Sequence, residues 1–193
     1  MNRKILSSLS LFLIGFLTFS SSVWCGEVQT ITLGGKPLTL TGEKLKTGNM
    51  LPTVLLPDLG LKMVDLQSFK GKVTLLSIVP SLDTPTCDKQ THILSEENKG
   101  LDKIANLITI SRDLPFAQKR FATKTKIQNI TFLSDYRDAQ FGKSTGLLIE
   151  ENRLLARAII ILDPEGTVRY LEIVSELSKL PDMEKAMEFA RSL

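Results

Sequence analysis

Two apolar runs frame the middle of the chain, and both read as strands covered on two faces. Residues 73–79 (V-T-L-L-S-I-V) and 156–162 (A-R-A-I-I-I-L) are nearly continuous in aliphatic side chains, many of them β-branched. A strand with one solvated face alternates apolar with polar, so a run without that alternation fits a central strand buried on both sides. Elsewhere the period changes repeatedly. Residues 28–33 alternate, Gly34-Gly35 supplies a two-residue turn and residues 37–40 return, which predicts a β-hairpin. A polar connection over 42–52 leads to short strands at 53–56 and 61–64 around Pro57-Asp58-Leu59-Gly60, then a short turn or helix at 66–69.

A helix opens at Pro85. Thr91, Leu94, Leu101 and Ile104 fall near helical spacing from Cys87, so this helix is expected to run to about Gly100 or Lys103. Residues 107–110 form a strand, followed by Asp113-Leu114-Pro115 and a helix to about Lys124; 129–133 is a strand and 138–145 a short helix. After the second apolar run, Asp163-Pro164-Glu165-Gly166 turns the chain and 168–174 pairs back antiparallel. Residues 181–191 form an amphipathic last helix with Met183, Ala186, Met187 and Ala190 on one side. Strands alternating with helices, with a closing hairpin and helix, predict one α/β domain over residues 26–193.

Residues 1–25 carry a different pattern. Arg3 and Lys4 precede an apolar stretch over 5–19, and Ser20-Ser21-Ser22 follow, which is the three-part form of a secretory signal. The apolar stretch is short for a membrane span, and an uncleaved anchor is the lesser reading. Cleavage after Ser22 or after Cys25 fits, and lipidation of Cys25 is a third option that the bulky Trp24 disfavours. Export to the periplasm or beyond is expected, into an oxidising compartment.

Composition narrows the function classes. The net charge is +3, of which Arg3 and Lys4 supply two, and basic and aromatic residues are not interleaved, so an electrostatic nucleic-acid binder is excluded. One histidine and two cysteines make a zinc site hard to assemble, and no cofactor is expected. The cysteines, Cys25 and Cys87, form no disulfide framework.

Cys87 is placed for reaction. It lies about one turn into the helix that Pro85 opens, where unpaired backbone N–H groups and the helix dipole stabilise a thiolate. Thr84, three residues earlier, can cap the helix or reach the sulfur with its hydroxyl. The competing reading is a small buried residue beneath a helix start. A thioredoxin-type disulfide exchanger has little support, since there is no C-x-x-C pair.

Pro80, Thr84 and Cys87 fit the P-x-x-x-[TS]-x-x-C pattern, within P-S-L-D-T-P-T-C at 80–87. D-L-P-F-A-Q-K-R-F at 113–121, L-S-D-Y-R-D at 133–138 and L-L-A-R-A at 154–158 follow in order. Over everything after the leader, the chain resembles the bacterial thiol peroxidase subfamily of peroxiredoxins. The resemblance implies a thioredoxin-like central mixed sheet flanked by helices, with an N-terminal β-hairpin. It implies that Cys87 is the peroxidatic cysteine, attacking hydrogen peroxide or an alkyl hydroperoxide, and that Thr84 hydrogen-bonds thiolate and peroxide. Pro80 is then the residue that screens the pocket from water, and Arg157 the one that holds the thiolate and polarises the peroxide. Attack on an O–O bond needs an anionic nucleophile, an aligned donor and a fixed positive charge, which agrees with each role. A thiol reductant such as a thioredoxin-like protein and a homodimer formed near the active site are further implications.

One departure stands out. The subfamily's resolving cysteine follows the phenylalanine of D-L-P-F-A-Q-K-R-F, and that position here is Ala122, with no cysteine after Cys87. Three outcomes follow: a one-cysteine peroxidase reduced by an external thiol, resolution by Cys25, or a non-catalytic or redox-sensing binding protein on the same fold. Among other candidates, Arg137 is expected to pair with Asp135 or Asp138, and His92 to be a surface or boundary residue. Asp83 is expected to cap the helix, and Phe116, Phe121 and Phe141 to build the core or a subunit contact.

Overall fold

The computed structural model describes residues 29–193, so the expected leader and Cys25 lie outside the described residues. A five-stranded mixed sheet forms the centre, built from β5 (Thr74–Ile78), β6 (Asn106–Ser111), β7 (Thr131–Ser134), β9 (Ala158–Leu162) and β10 (Val168–Ile173) in the order β10-β9-β5-β6-β7. β5, β6 and β7 are parallel, while β9 runs antiparallel to both β5 and β10. Every residue of β5 and β9 is buried, as their unbroken apolar runs require. Alternate side chains feed two cores. Leu76, Ile78, Ile108, Ile160 and Leu162 point to one, and Leu75, Val79, Leu107, Ile159 and Ile161 to the other.

Helices α1 (Pro85–Glu96), α2 (Pro115–Thr125) and α4 (Met183–Arg191) supply the second core with Cys87 and Leu94, Ala122, and the predicted Met183, Ala186, Met187 and Ala190. The first core is closed by the N-terminal hairpin, β1 (Thr30–Leu33) and β2 (Lys36–Thr41), by the β3 (Leu55–Pro57) and β4 (Met63–Asp65) pair, and by α3 (Gln140–Thr145) with its buried Phe141. A two-residue strand, β8 (Leu148–Ile149), joins β2 and was not foreseen from the pattern.

Other differences have local causes. α1 stops at Glu96 rather than near Gly100. The Asn98 amide donates to the carbonyls of Leu94 and Ser95, and Lys99 and Gly100 are left-handed (φ 49° and 82°), which ends helical hydrogen bonding. Leu101 is buried in a separate 3-10 turn, and Ile104, expected on the buried face, is 60% exposed. β3 and β4 start two residues later than expected, because the Asp58 carboxylate accepts from Gly60 N and Lys62 N and draws the turn past Leu61.

Candidate active site

Chain topology brings the predicted site residues together. Cys87 is the third residue of α1, which starts from the loop after β5, and its side chain is fully buried. Ile78 of β5 pairs with Ala158 of β9, and the same register carried one residue further sets Arg157 opposite Val79. Pro80, buried, follows directly. Thus 70 residues of separation between Cys87 and Arg157 are closed by one antiparallel pairing.

Two donors meet the Cys87 sulfur. Thr84 Oγ1 lies 2.8 Å from Sγ and also 3.0 Å from the carbonyl oxygen of Ser81. Thr84 occupies the N-cap position of α1, but its hydroxyl makes no cap bond and is spent on the sulfur and that carbonyl. A hydroxyl holds one proton, so it donates to Ser81 while accepting from a neutral thiol, and turns to donate when the sulfur is an anion. The second donor is Arg157 Nη2, 3.4 Å from Sγ.

Arg157 is 2% exposed, with no carboxylate among its partners in the described residues. Nε donates to the Leu177 carbonyl at 2.9 Å and Nη1 to Gln90 Oε1 at 2.8 Å, both neutral acceptors. A buried charge is expensive unless an opposite charge is near, and among these partners the Cys87 sulfur is the group able to carry one. Three anchored nitrogens fix the fork in a way a lysine ammonium would not.

Gln90 was not singled out from sequence. It lies three residues after Cys87 on the same helix face, fully buried, and its amide nitrogen donates to Ser77 Oγ at 2.8 Å while its oxygen holds Arg157. A glutamine on the inward face of an amphipathic helix was the available signal. Asp113, in the D-L-P-F motif, was also missed. Its carboxylate accepts from Ser81 Oγ at 2.6 Å, Leu82 N at 2.8 Å and Ser111 Oγ at 2.7 Å, latching the loop before α1 to the start of α2.

The other candidates lie outside this cluster. His92 bridges Asp88 and Glu96 along α1 and does not touch the sulfur. Arg137 is exposed and, among the described residues, forms no ion pair with Asp135 or Asp138, contrary to expectation; Asp135 instead turns inward to accept from Phe141 N and Gly142 N at the start of α3. Burial of Asp135 raises its carboxyl above the ordinary value, with those two amides acting against the shift. Asp83 is exposed and caps nothing; Phe141 is core, Phe121 packs edge-on to Phe132, and Phe116 is 56% exposed.

An open groove of about 820 Å³ runs between the start of α1 and α2, lined by Leu82, Thr84, Pro85, Ala117, Arg120 and Phe121 among others. Thr84 forms part of its wall and contacts Sγ, so the sulfur lies one side chain beneath the groove. Ala122 shares the buried cluster with Cys87 and Leu82 and offers no sulfur there.

Comparison with known proteins adds to this geometry. The family model described as Redoxin matches residues 46–187. A thiol peroxidase of Halalkalibacterium halodurans is 47% identical over 167 residues, covering 86% of this chain and 99% of that protein. One from Bacillus subtilis is 44% identical over 163 residues, covering 84% and 97%. Among solved structures, a peroxiredoxin-like protein from Aquifex aeolicus superposes with a TM-score of 0.80 at 35% identity, covering 86% of this chain and 99% of that one. A thiol peroxidase from Chromobacterium violaceum gives 0.73 at 25% identity, covering 84% and 95%.

Proposed function

The chain belongs to the redoxin family and is a peroxiredoxin-type thiol peroxidase with a thioredoxin-like fold, and from that premise we propose that it works through a one-cysteine cycle at Cys87. Peroxide substrates and a thiol reductant follow from the activity itself. The observation that carries the one-cysteine reading is the pairing of a doubly hydrogen-bonded Cys87 sulfur with Ala122, not cysteine, in the same buried cluster.

In this cycle the Cys87 thiolate attacks the OH-bearing oxygen of a hydroperoxide entering beside Thr84. The S–O bond forms as the O–O bond breaks, leaving Cys87 as a sulfenic acid, and the departing alkoxide takes a proton from solvent to become an alcohol (water when the substrate is hydrogen peroxide). Arg157 and the Thr84 hydroxyl stabilise the charge that develops on the leaving oxygen. Pro80 helps keep water from the sulfur. An external thiol then attacks the sulfenic sulfur and releases water, giving a mixed disulfide. A second thiolate displaces Cys87 and leaves as the external disulfide.

Intact mass before and after one equivalent of hydrogen peroxide tests this. A gain of one oxygen, trapped at Cys87 by a sulfenic-specific reagent, is the expected result. Loss of two hydrogens would mean a disulfide and overturn the one-cysteine step; an unchanged mass would overturn Cys87 as the attacking group.

Two further readings belong with it. The pattern over residues 1–25 supports export, and the mass of the processed protein reads the cleavage site and the fate of Cys25 directly. Leu114 and Phe116, 51% and 56% exposed at the start of α2 beside the groove, support a homodimer that covers this face.

A further inference from the structure

The N-terminal hairpin packs on the sheet face opposite α1, α2 and α4, yet it connects, directly or through β8, to both chain segments that fix Arg157. β1 runs parallel to residues 175–177: Thr32 N donates to the Ser175 carbonyl and Leu177 N to the Thr32 carbonyl, both at 2.7 Å. The Leu177 carbonyl in turn accepts from Arg157 Nε at 2.9 Å. On its other edge, β2 pairs with β8. Ala156 N, one residue before Arg157, donates to the carbonyl of Leu147 directly before β8. The hairpin therefore reaches the residue before Arg157 indirectly, through β8 and Leu147, and bonds directly to the N–H of Leu177, whose carbonyl aims the Arg157 side chain.

Glu176 sits where these contacts meet. Its carboxylate accepts from Thr32 Oγ1 at 2.8 Å, Gly34 N at 3.0 Å, Gly35 N at 3.4 Å and Ser178 Oγ at 2.8 Å. Gly34 and Gly35 have φ of +59° and +78°, the backbone of the favoured hairpin turn, which only glycine adopts without strain. That turn aims successive amides at one anion. Two residues on, the Ser178 carbonyl accepts from the Thr86 hydroxyl at 3.3 Å, beside Cys87 in the first turn of α1. Residues 175–178 thus take the hairpin on one side and both elements of the active site on the other. The first three donors that act on Glu176, from Thr32, Ser178 and Gly34, hold its carboxyl down to about 2, so the anion persists at any working pH.

We propose that the N-terminal hairpin is a positioning element for Arg157 and that Glu176 is the positioning residue through which it acts. The proposal rests on the role given to Arg157 above. A charge-assisted hydrogen bond is directional, and Arg157 Nε has one proton and one acceptor. Displacing the Leu177 carbonyl rotates the guanidinium and carries Nη2 away from Sγ.

The test compares wild type, Glu176→Gln, Thr32→Val, Arg157→Ala and the Glu176→Gln/Arg157→Ala double variant. Two rates are read: alkylation of Cys87 by iodoacetamide at fixed pH without peroxide, and kcat/KM for hydrogen peroxide. Glu176→Gln is expected to slow both by about tenfold, the size of a positioning effect transmitted through packed contacts. Thr32→Val should act in the same direction and less strongly. In the Arg157→Ala background, Glu176→Gln should change nothing further. A merely loosened fold would expose the buried thiol and speed alkylation, and losses that multiply in the double variant would mean independent action; either overturns the proposal. If Glu176→Gln does not fold, Thr32→Val in the two backgrounds decides by the same criteria. Failure of the peroxidase reading is separate, since wild type would then consume no peroxide while the alkylation comparison still reports on Arg157.

Discussion

Arg157 is a buried cation with one partner, among the described residues, able to carry negative charge, the Cys87 sulfur. That arrangement makes the guanidinium hard to replace. Arg157→Lys keeps the charge but cannot span Leu177, Gln90 and Sγ together, and kcat/KM for hydrogen peroxide is expected to fall about a hundredfold, the loss typical of one misplaced charge-stabilising donor. Gln90 is the second residue whose removal should be felt. Gln90→Met preserves volume while leaving Arg157 Nη1 and Ser77 Oγ without their partner. Urea unfolding should show a loss of about 1–3 kcal/mol, the cost of unmet buried polar groups. Peroxide turnover should fall with it, and unchanged stability would mean that water or a neighbouring side chain replaces the amide. Cys87→Ser is expected to abolish peroxide consumption, whereas Ala122→Ser should leave the rate of sulfenic acid formation at the wild-type value. A slower first oxidation step in Ala122→Ser would give α2 a direct part in the attack.

At the scale of elements, the hairpin is held through a carboxylate whose titration gives it a pH signature. The carboxyl of Glu176 drops from an ordinary 4.5 to about 2, first through the Thr32 hydroxyl, then through Ser178 and Gly34. Below pH 4.5 the unfolded chain binds this proton and the folded protein does not, so falling pH favours unfolding through this group. Its stabilising contribution is present in full above about pH 4.5 and lost as pH falls through about 2. Glu176→Gln carries no such contribution. The gap in unfolding free energy between wild type and Glu176→Gln should be widest at neutral pH and close between those values; a gap constant across that range would assign the stability to packing instead. None of this was legible in the sequence. Two glycines announced the hairpin turn, but nothing local marked a glutamate 141 residues away as its partner. The elements that were legible obey local rules: the unbroken apolar runs became β5 and β9, and the Met183–Ala186–Met187–Ala190 stripe became the buried face of α4. α1 is shorter than its spacing pattern predicts because its stop is made by the Asn98 side chain and a left-handed Lys99, chemistry that a helical spacing pattern does not register.

For the whole molecule, the two cores divide labour. The helical side holds Cys87 and the groove above it, while the hairpin side holds the chain around Arg157; the site lies where the two meet across one sheet. This explains why motif residues scattered from 80 to 157 were readable as one site while the surface was not: motif spacing encodes the sheet register, but an exposed aromatic has no register to obey. Phe116 is that aromatic, projecting beside Lys119, Arg120, Thr123 and Lys124 on the outer face of α2. A second copy of the chain seated there would bury Phe116 and Leu114 together and close one end of the groove that leads to Thr84. Sedimentation velocity at micromolar concentration should then give a dimer for wild type and a monomer for Phe116→Glu, since a carboxylate buried without a partner opposes association. Peroxide attack at Cys87 should survive in the monomer, because each of the sulfur's two donors comes from its own chain. A wild-type protein that sediments as a monomer would remove the dimer and leave the chemistry of the single chain as it stands.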